Sequence, residues 1–471
     1  MVRFAFIFLL LNLSYVMSWS QPWVDNQFEI RIDKDSVYGE SVNFSGNSQK
    51  LLCDIAYPVD DVAPECGRPL IILVHGGSFI AGSKEDFSIQ VWLTEFAKKG
   101  YVAAAINYRL GMYQTADFIS CAVENWGCLN MADSAEWYRA NYRGMQDCKG
   151  AIRYMISQKE LYNINKDQVF LIGESAGGFV ALQAAYLDDA SEKSPLCYEL
   201  PDVIRPSLQY QETCLPPESL PIADMSLKRP DLGSFEGNIL NENGDFKIRG
   251  VASVYGGIMF DFLNKNDQTT DMPVLYVYAQ PNDLIVPFRY DRVMAGISAC
   301  ASQYSGCPWL VNTPYVYGNH GIKDLIDQKA AAGLEVPEIK ADFTQNTADC
   351  LLQVAFPALS GHAMDDIWVR TNSIATFFAE QIAEDDCILA NDNIQESKTK
   401  VYPNPFTDVL NISMEGGDQI LDITVYDHQY ILRKSVSRSN DLLELSRLEP
   451  GLYMLIIRTR EKTYQKKVIK I

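Results

Sequence analysis

Ser175 stands in Gly173-Glu-Ser175-Ala-Gly177, set without a spacer between the apolar, β-rich run Val169 to Ile172 and the helix-like Phe179 to Ala185. Glycines two residues to either side of a serine suit a sharp strand-to-helix turn, where a Cβ would strike neighbouring backbone. Such a turn holds the hydroxyl proud of a sheet. It also sets the hydroxyl at a helix N-terminus, whose unpaired N–H groups and positive dipole end favour negative charge developing beside it. That is a place for a nucleophile. A serine hydroxyl attacks an acyl carbon only with help from a base, a carboxylate that orients the base, and fixed donors for the oxyanion.

Each of these companions has a candidate. In Leu73-Val-His-Gly-Gly-Ser-Phe79, glycines follow an apolar run and let backbone N–H groups turn into a site. Gly77 and Ser78, with the N–H of Ala176, are the expected oxyanion donors. Asp283 lies in the polar turn of Tyr278-Ala-Gln-Pro-Asn-Asp283, just after an apolar strand. The plain alternative for it is an Asx-turn residue with no part in chemistry. His362, in Leu359-Ser-Gly-His362-Ala-Met, follows the strand-like Gln353 to Phe356 and precedes a helical pattern from Ile367 to Ile382. His320, in Tyr317-Gly-Asn-His-Gly, is the rival base, while His75 belongs to the oxyanion loop and His428 to the tail. The four histidines show no paired ligand spacing and no C-x-x-C occurs, so neither a metal nor a cofactor is expected.

The elements that must position these residues alternate. Half-buried strand patterns from Phe28 to Tyr57 precede apolar runs at 70–74, 102–106, 169–172, 250–255 and 273–278, with helical periods between several of them. An antiparallel edge leading into a parallel core follows, a doubly wound α/β sheet with its site at the carboxyl ends of the strands. Prolines crowd an irregular stretch at about 188–246, which reads either as a lid or as a surface excursion, and Cys300 to Cys350 reads as a second irregular stretch. A polar linker spans 385–400, and beyond it short alternating strands predict a small all-β sandwich over 401–471.

With 47% hydrophobic residues the chain has ample material for a core, and the net charge of −20 argues against nucleic acid and anionic membrane partners. Residues 1–20, one basic residue and then an apolar run shorter than a bilayer span, have the form of a secretory signal peptide, and no later stretch is long enough to cross a membrane. Export fits eleven cysteines. Short-range pairing suggests Cys53/Cys66, Cys121/Cys128, Cys197/Cys214, Cys300/Cys307 and Cys350/Cys387, leaving Cys148 as a buried small hydrophobe.

Residues 70 to about 383 resemble the α/β-hydrolase superfamily, close to carboxylesterases and lipases. The likeness is carried by His75-Gly-Gly-Ser-Phe79, Asn107-Tyr-Arg-Leu-Gly111 and Gly173-Glu-Ser-Ala-Gly-Gly178, and by the chain order Ser175, Asp283, His362. Ser78 departs from the family's third glycine. The resemblance implies an α/β-hydrolase fold over 21–384 and a serine carboxylic-ester hydrolase acting on a small-molecule or glycan ester through an acyl-enzyme. Alternatives are a peptidase of the same superfamily and a non-catalytic binding protein on this fold. The tail, through Val401-Tyr-Pro-Asn-Pro-Phe406 and Leu448-Glu-Pro-Gly-Leu-Tyr453, resembles the C-terminal sorting domain of type IX secretion cargo in Bacteroidetes. That likeness implies engagement of the type IX machinery, delivery across the outer membrane and no catalytic role.

Overall fold

The computed structural model describes residues 21–59, 63–64, 66–112, 134–204, 226–241, 245–261, 263, 272–297, 299–300, 313–346, 348–356, 359–382, 399–414, 420–427, 432–437, 442–459 and 463–471. The expected signal peptide, His428 and all but the end of the expected linker lie outside them.

Eight strands form the principal sheet: β1 (Glu29–Val42), β2 (Ser48–Val59), β3 (Arg68–Val74), β4 (Val102–Ile106), β5 (Ile164–Glu174), β6 (Ile248–Val254), β7 (Val274–Ala279) and β8 (Ile339–Phe343). Their spatial order is β1-β2-β4-β3-β5-β6-β7-β8. β2 runs antiparallel to both β1 and β4, and every pairing from β4 to β8 is parallel. The antiparallel edge and the parallel core both stand as expected.

Period-two alternation along the buried strands decides which helices cover which face. Leu70, Ile72, Val74, Val169, Leu171, Leu275 and Val277 point into a core shared with α2 (Ser134–Ser157) and α3 (Ala176–Tyr186). Their neighbours Ile71, Leu73, Phe170, Ile172, Tyr276 and Tyr278 point the other way, onto α1 (Phe87–Lys98) and α5 (Ile367–Ala379). Between α3 and α5 in the chain comes α4 (Asn319–Ala331), whose Ile322 and Ile326 join the first core. No helix among the described residues is long and apolar enough to cross a membrane.

Several expectations fail locally. The stretch from Cys300 to Cys350 holds α4 and the eighth strand. β8 was hidden because Ile339-Lys-Ala-Asp-Phe343 carries two charged residues in five, as an edge strand of half-buried side chains can. The strand-like Gln353 to Phe356 belongs instead to a short helix, Cys350–Ala355, whose N-terminus is capped by Asp349. Four of the expected disulfides are also overturned. Cys300 pairs with Cys350, and Cys53 and Cys197 are free and buried, so proximity in sequence misled where contact in space governs. Cys121/Cys128 lies outside the described residues, and Cys148 is free and buried as expected. Within 188–246 the described parts form two 3₁₀ turns and a paired ribbon, Leu200–Ile204 with Ser226–Arg229.

Residues 399–470 fold around a core of their own. A three-stranded sheet (Thr399–Tyr402, Val409–Met414, Leu442–Glu444) and a four-stranded one (Ile420–Asp427, Leu432–Ser437, Gly451–Thr459, Thr463–Lys470) enclose Phe406, Leu410, Ile412, Ile423, Val425, Leu455 and Ile457.

The passage from β5 to α3 leaves no room for side chains at its glycines. A Cβ on Gly177 would stand 2.1 Å from the Val74 carbonyl oxygen, and one on Gly173 would stand 2.0 Å from the Gly177 oxygen. Both obstacles are backbone, which cannot rotate away. Gly177→Ala is therefore expected to destabilise the protein by at least the about 1–3 kcal/mol typical of overpacking, read as a lower midpoint in urea; an unchanged midpoint would show that β3 and α3 can separate.

Candidate active site

Four adjacent strands end at one place. β3 and β5 finish in register, Val74 opposite Gly173, so the loop after β3 and the serine after β5 start side by side. A Cβ on Gly76 would be 3.1 Å from that of Ser175. The ladder persists past the strand ends, with Ser175 N–H donating to the Val254 carbonyl (2.9 Å) and Tyr255 N–H to the Tyr278 carbonyl (2.7 Å). β6 thus delivers Tyr255, and β7 delivers the turn that carries Asp283.

Ser175 is held at φ 51°, ψ −122°, a backbone conformation that L-residues seldom occupy, immediately before α3. The structure brings Ser175, His362 and Asp283 into one chain of hydrogen bonds. His362 Nδ1 lies 2.7 Å from Asp283 Oδ2, and Nε2 lies 2.8 Å from Ser175 Oγ. An ionised carboxylate only accepts, so Nδ1 carries the proton and Nε2 is left to accept from the serine hydroxyl. The other oxygen of Asp283 accepts from the N–H groups of Ile285 (2.7 Å) and Val286 (3.0 Å). The turn role and the histidine contact are therefore fulfilled together, one by each oxygen.

Two glutamines that the sequence did not single out hold the histidine loop to the aspartate loop. Gln353 Oε1 accepts from Gly361 N–H (2.8 Å) while its Nε2 donates to the Asn282 carbonyl (3.1 Å). Gln280 Nε2 donates to the Ala363 carbonyl (2.7 Å). Gly361 must lack a side chain, since a Cβ there would be 2.8 Å from Asp283 N. His320 is remote from this chain of contacts: it stacks on Phe343 and meets Asp324 at 3.2 Å.

Across the serine, Gly77, Ser78 and Phe79 all have positive φ (101°, 53° and 63°). Ser78 occupies the left-handed region that the family's glycine would reach more easily, and a Cβ on Gly77 would be 2.1 Å from the Ala81 carbonyl oxygen. Among the described residues no backbone carbonyl takes the N–H of Gly77 or Ser78. Beneath the loop, His75 is fully buried, stacked on Tyr108, with burial lowering its pKa.

A cavity of about 290 Å³ opens on Ser175 and His362, walled by Gly77, Ser78, Asp86, Glu174, Tyr255 and Met294. The Tyr255 ring lies 4.8 Å from the His362 ring, and its hydroxyl donates to Glu174 Oε2 at 2.7 Å. Burial holds the Glu174 carboxyl above the usual range, against hydrogen bonds from Ser88 and Tyr255 that favour the charged form. Glu174 sat in plain view beside Ser175 in the sequence, but nothing there pointed to Tyr255 as its partner. Among the described residues no group of three or more acidic, histidine or cysteine side chains is placed to hold a metal ion.

Comparison with known proteins matches residues 53–123 and 139–276 to the BD-FAE family model, and residues 400–471 to the secretion system C-terminal sorting domain. Among curated proteins, neuroligin-like protein glit-1 of Caenorhabditis elegans is 27% identical over 158 residues, 33% of this chain and 17% of its own length. The cAMP-regulated D2 protein of Dictyostelium discoideum is 27% identical over 137 residues, 28% of this chain and 21% of its own. The chain thus spans about a fifth of the length of these relatives. Among solved structures, Thermogutta terrifontis esterase 2 phosphonylated by cyclosarin superposes with a TM-score of 0.38 at 16% identity, covering 78% of this chain and 96% of that one. Esterase B from Lactobacillus rhamnosis, inhibited by a tributyrin phosphonate, gives 0.36 at 14%, covering 75% and 87%. The eight-stranded sheet with its strand-turn-helix serine gives this chain the α/β-hydrolase fold, and its residues 400–471 match the secretion system C-terminal sorting domain.

Proposed function

We propose that the protein is an exported serine hydrolase that cleaves carboxylic esters through an acyl-enzyme on Ser175. The observation that carries this reading is the continuous hydrogen-bonded run from Asp283 through His362 to Ser175 Oγ. In the first half-reaction His362 Nε2 takes the hydroxyl proton as Oγ bonds to the acyl carbon, and the carbonyl oxygen becomes an oxyanion facing the N–H groups of Gly77, Ser78 and Ala176. Collapse of the tetrahedral intermediate expels the alcohol, which leaves with the proton from His362. Water then repeats the sequence, giving its proton to His362 and releasing the acid and free Ser175. Asp283 stabilises the imidazolium formed in each half. The cavity beside Ser175 gives room for a small acyl or alcohol group, and an ester borne on a polysaccharide suits an exported enzyme. The match of residues 400–471 to a sorting domain supports export, by our reading through the type IX machinery.

Hydrolysis of short-chain p-nitrophenyl esters by the full chain tests the reaction. Ser175→Ala is expected to lower kcat by on the order of 10⁶-fold, and Asp283→Asn by about 10⁴-fold with KM nearly unchanged. Equal turnover by Ser175→Ala and the parent protein would refute the assignment.

Glu174 yields a separate expectation. Its raised folded-state pKa means that the folded protein holds this proton more tightly than the unfolded chain does. Its contribution to stability is therefore complete below the ordinary carboxyl pKa and lost as pH rises through the raised folded value. Glu174→Gln keeps an acceptor for Tyr255 and removes the titration, so its melting temperature should fall less than that of the parent protein over that pH interval. Parallel curves would contradict the buried-carboxyl argument.

A further inference from the structure

A second cavity, of about 810 Å³, opens between the tip of the β1–β2 hairpin, the first half of α2 and the segment 228–238. β1 runs parallel to the core strands, so this cavity lies on the same carboxyl-end side of the sheet as Ser175. Among the described residues its wall contains Arg109, Arg139, Arg143, Lys228 and Arg229 against two carboxylates, Glu136 and Asp231, in a chain whose net charge is −20.

The carboxylates near it are already engaged. Asp147, behind the wall, takes Arg109 (2.8 Å), Glu136 takes Arg229 (2.9 Å), and Asp231 takes Lys193 (2.5 Å). Arg139 is spent on the carbonyls of Leu196, Tyr198 and Pro230. Arg143 is different. Only 4% exposed, it donates from one terminal nitrogen to the Gly111 carbonyl (3.0 Å), and among the described residues its buried Nε has no hydrogen-bond acceptor and no carboxylate is in ion-pair contact with it. Burial lowers its pKa to about 10, helped by the neighbouring Arg109 and Arg139 and opposed by the charges of Glu136 and Asp147. A guanidinium in such surroundings, with open space before it, suits an oxyanion that accepts from its fork of donors.

We infer that this cavity binds a small anionic group of carboxylate, sulfate or phosphate type, gripped by Arg143 with Lys228 at the rim. The site connects with the oxyanion loop: Arg143 donates to Gly111 O, and Gly111 N–H donates to the carbonyl of Phe79 (2.7 Å), the residue after Ser78. An acidic sugar carried on the same chain as an ester, or a free inorganic anion, would both meet this chemistry.

Titration calorimetry on the full chain at constant ionic strength tests the assignment without reference to hydrolysis, so it stands or falls apart from the role of Ser175. Galacturonate, inorganic sulfate and inorganic phosphate are the probes, and galactose is the uncharged control. Saturable binding of at least one anion, absent for galactose and weakened about tenfold or more by Arg143→Gln, is the expected result. Lys228→Gln, at the rim, should weaken it several-fold and keeps the test decisive if Arg143→Gln fails to fold. Galacturonate bound in preference to sulfate and phosphate would identify an acidic sugar, and the reverse a free tetrahedral anion. No saturable binding of any anion, or binding that galactose matches or that the folded variants leave unchanged, would overturn the inference.

Discussion

The reversal of backbone at Ser175 is the constraint on which the rest of the site depends. A strand must stop, turn through a strained residue at φ 51° and restart as a helix within one position, while lying against the end of β3. That is feasible only because Gly173 and Gly177 present no side chain to backbone atoms about 2 Å from where a Cβ would stand. The strain is held by fully buried flanks: β5 is closed in on both faces, and every residue of α3 is buried. A nucleophile fixed in this way needs its partners brought to it, and the parallel sheet does so by ending β3, β6 and β7 on the same side.

The three partners reach the serine with different degrees of support. The oxyanion loop and the Tyr255 turn are direct continuations of strands hydrogen-bonded to β5 or to each other. His362 comes from a loop far along the chain, attached chiefly through polar contacts. Gln353 and Gln280 supply hydrogen bonds to backbone groups on either side of the imidazole, fixing where the ring can lie. Orienting groups of this kind leave no pattern in a sequence, because a glutamine in a short helix has the same appearance wherever its amide points.

What was legible in the sequence follows from how local each signal is. Glycine spacing around Ser175 and apolar runs in β3 to β7 report on backbone geometry and burial within a few residues, and these features stand where expected. Asp283 and His362 are readable as a turn and a loop between elements, though Gln353 to Phe356 has the pattern of a strand, because four apolar or amide residues cannot declare a period. β8 has no strand signature since an edge strand tolerates charges, and sequence spacing does not give the disulfides since pairing depends on three-dimensional proximity. The polar, buried face of α2 was also unreadable: a helix rich in arginine, glutamine and aspartate is ordinarily solvated, and here ion pairs (Arg109–Asp147, Arg229–Glu136, and Lys149 and Arg153 with Glu236) and a set of backbone carbonyls make its burial tolerable.

The bond between Cys300 and Cys350 ties the region just beyond the Asp283 turn to the start of the helix that carries Gln353. Gly296, four residues before Cys300, already lies against Leu284 and Asp283. The covalent link therefore bridges the two loops that must meet for imidazole and carboxylate to face each other. In a reducing compartment this link would be open, leaving the histidine loop to its noncovalent contacts. The alignment of the site therefore draws on oxidising surroundings, which keep such a bond closed, and residues 400–471 match a domain that sorts proteins for secretion.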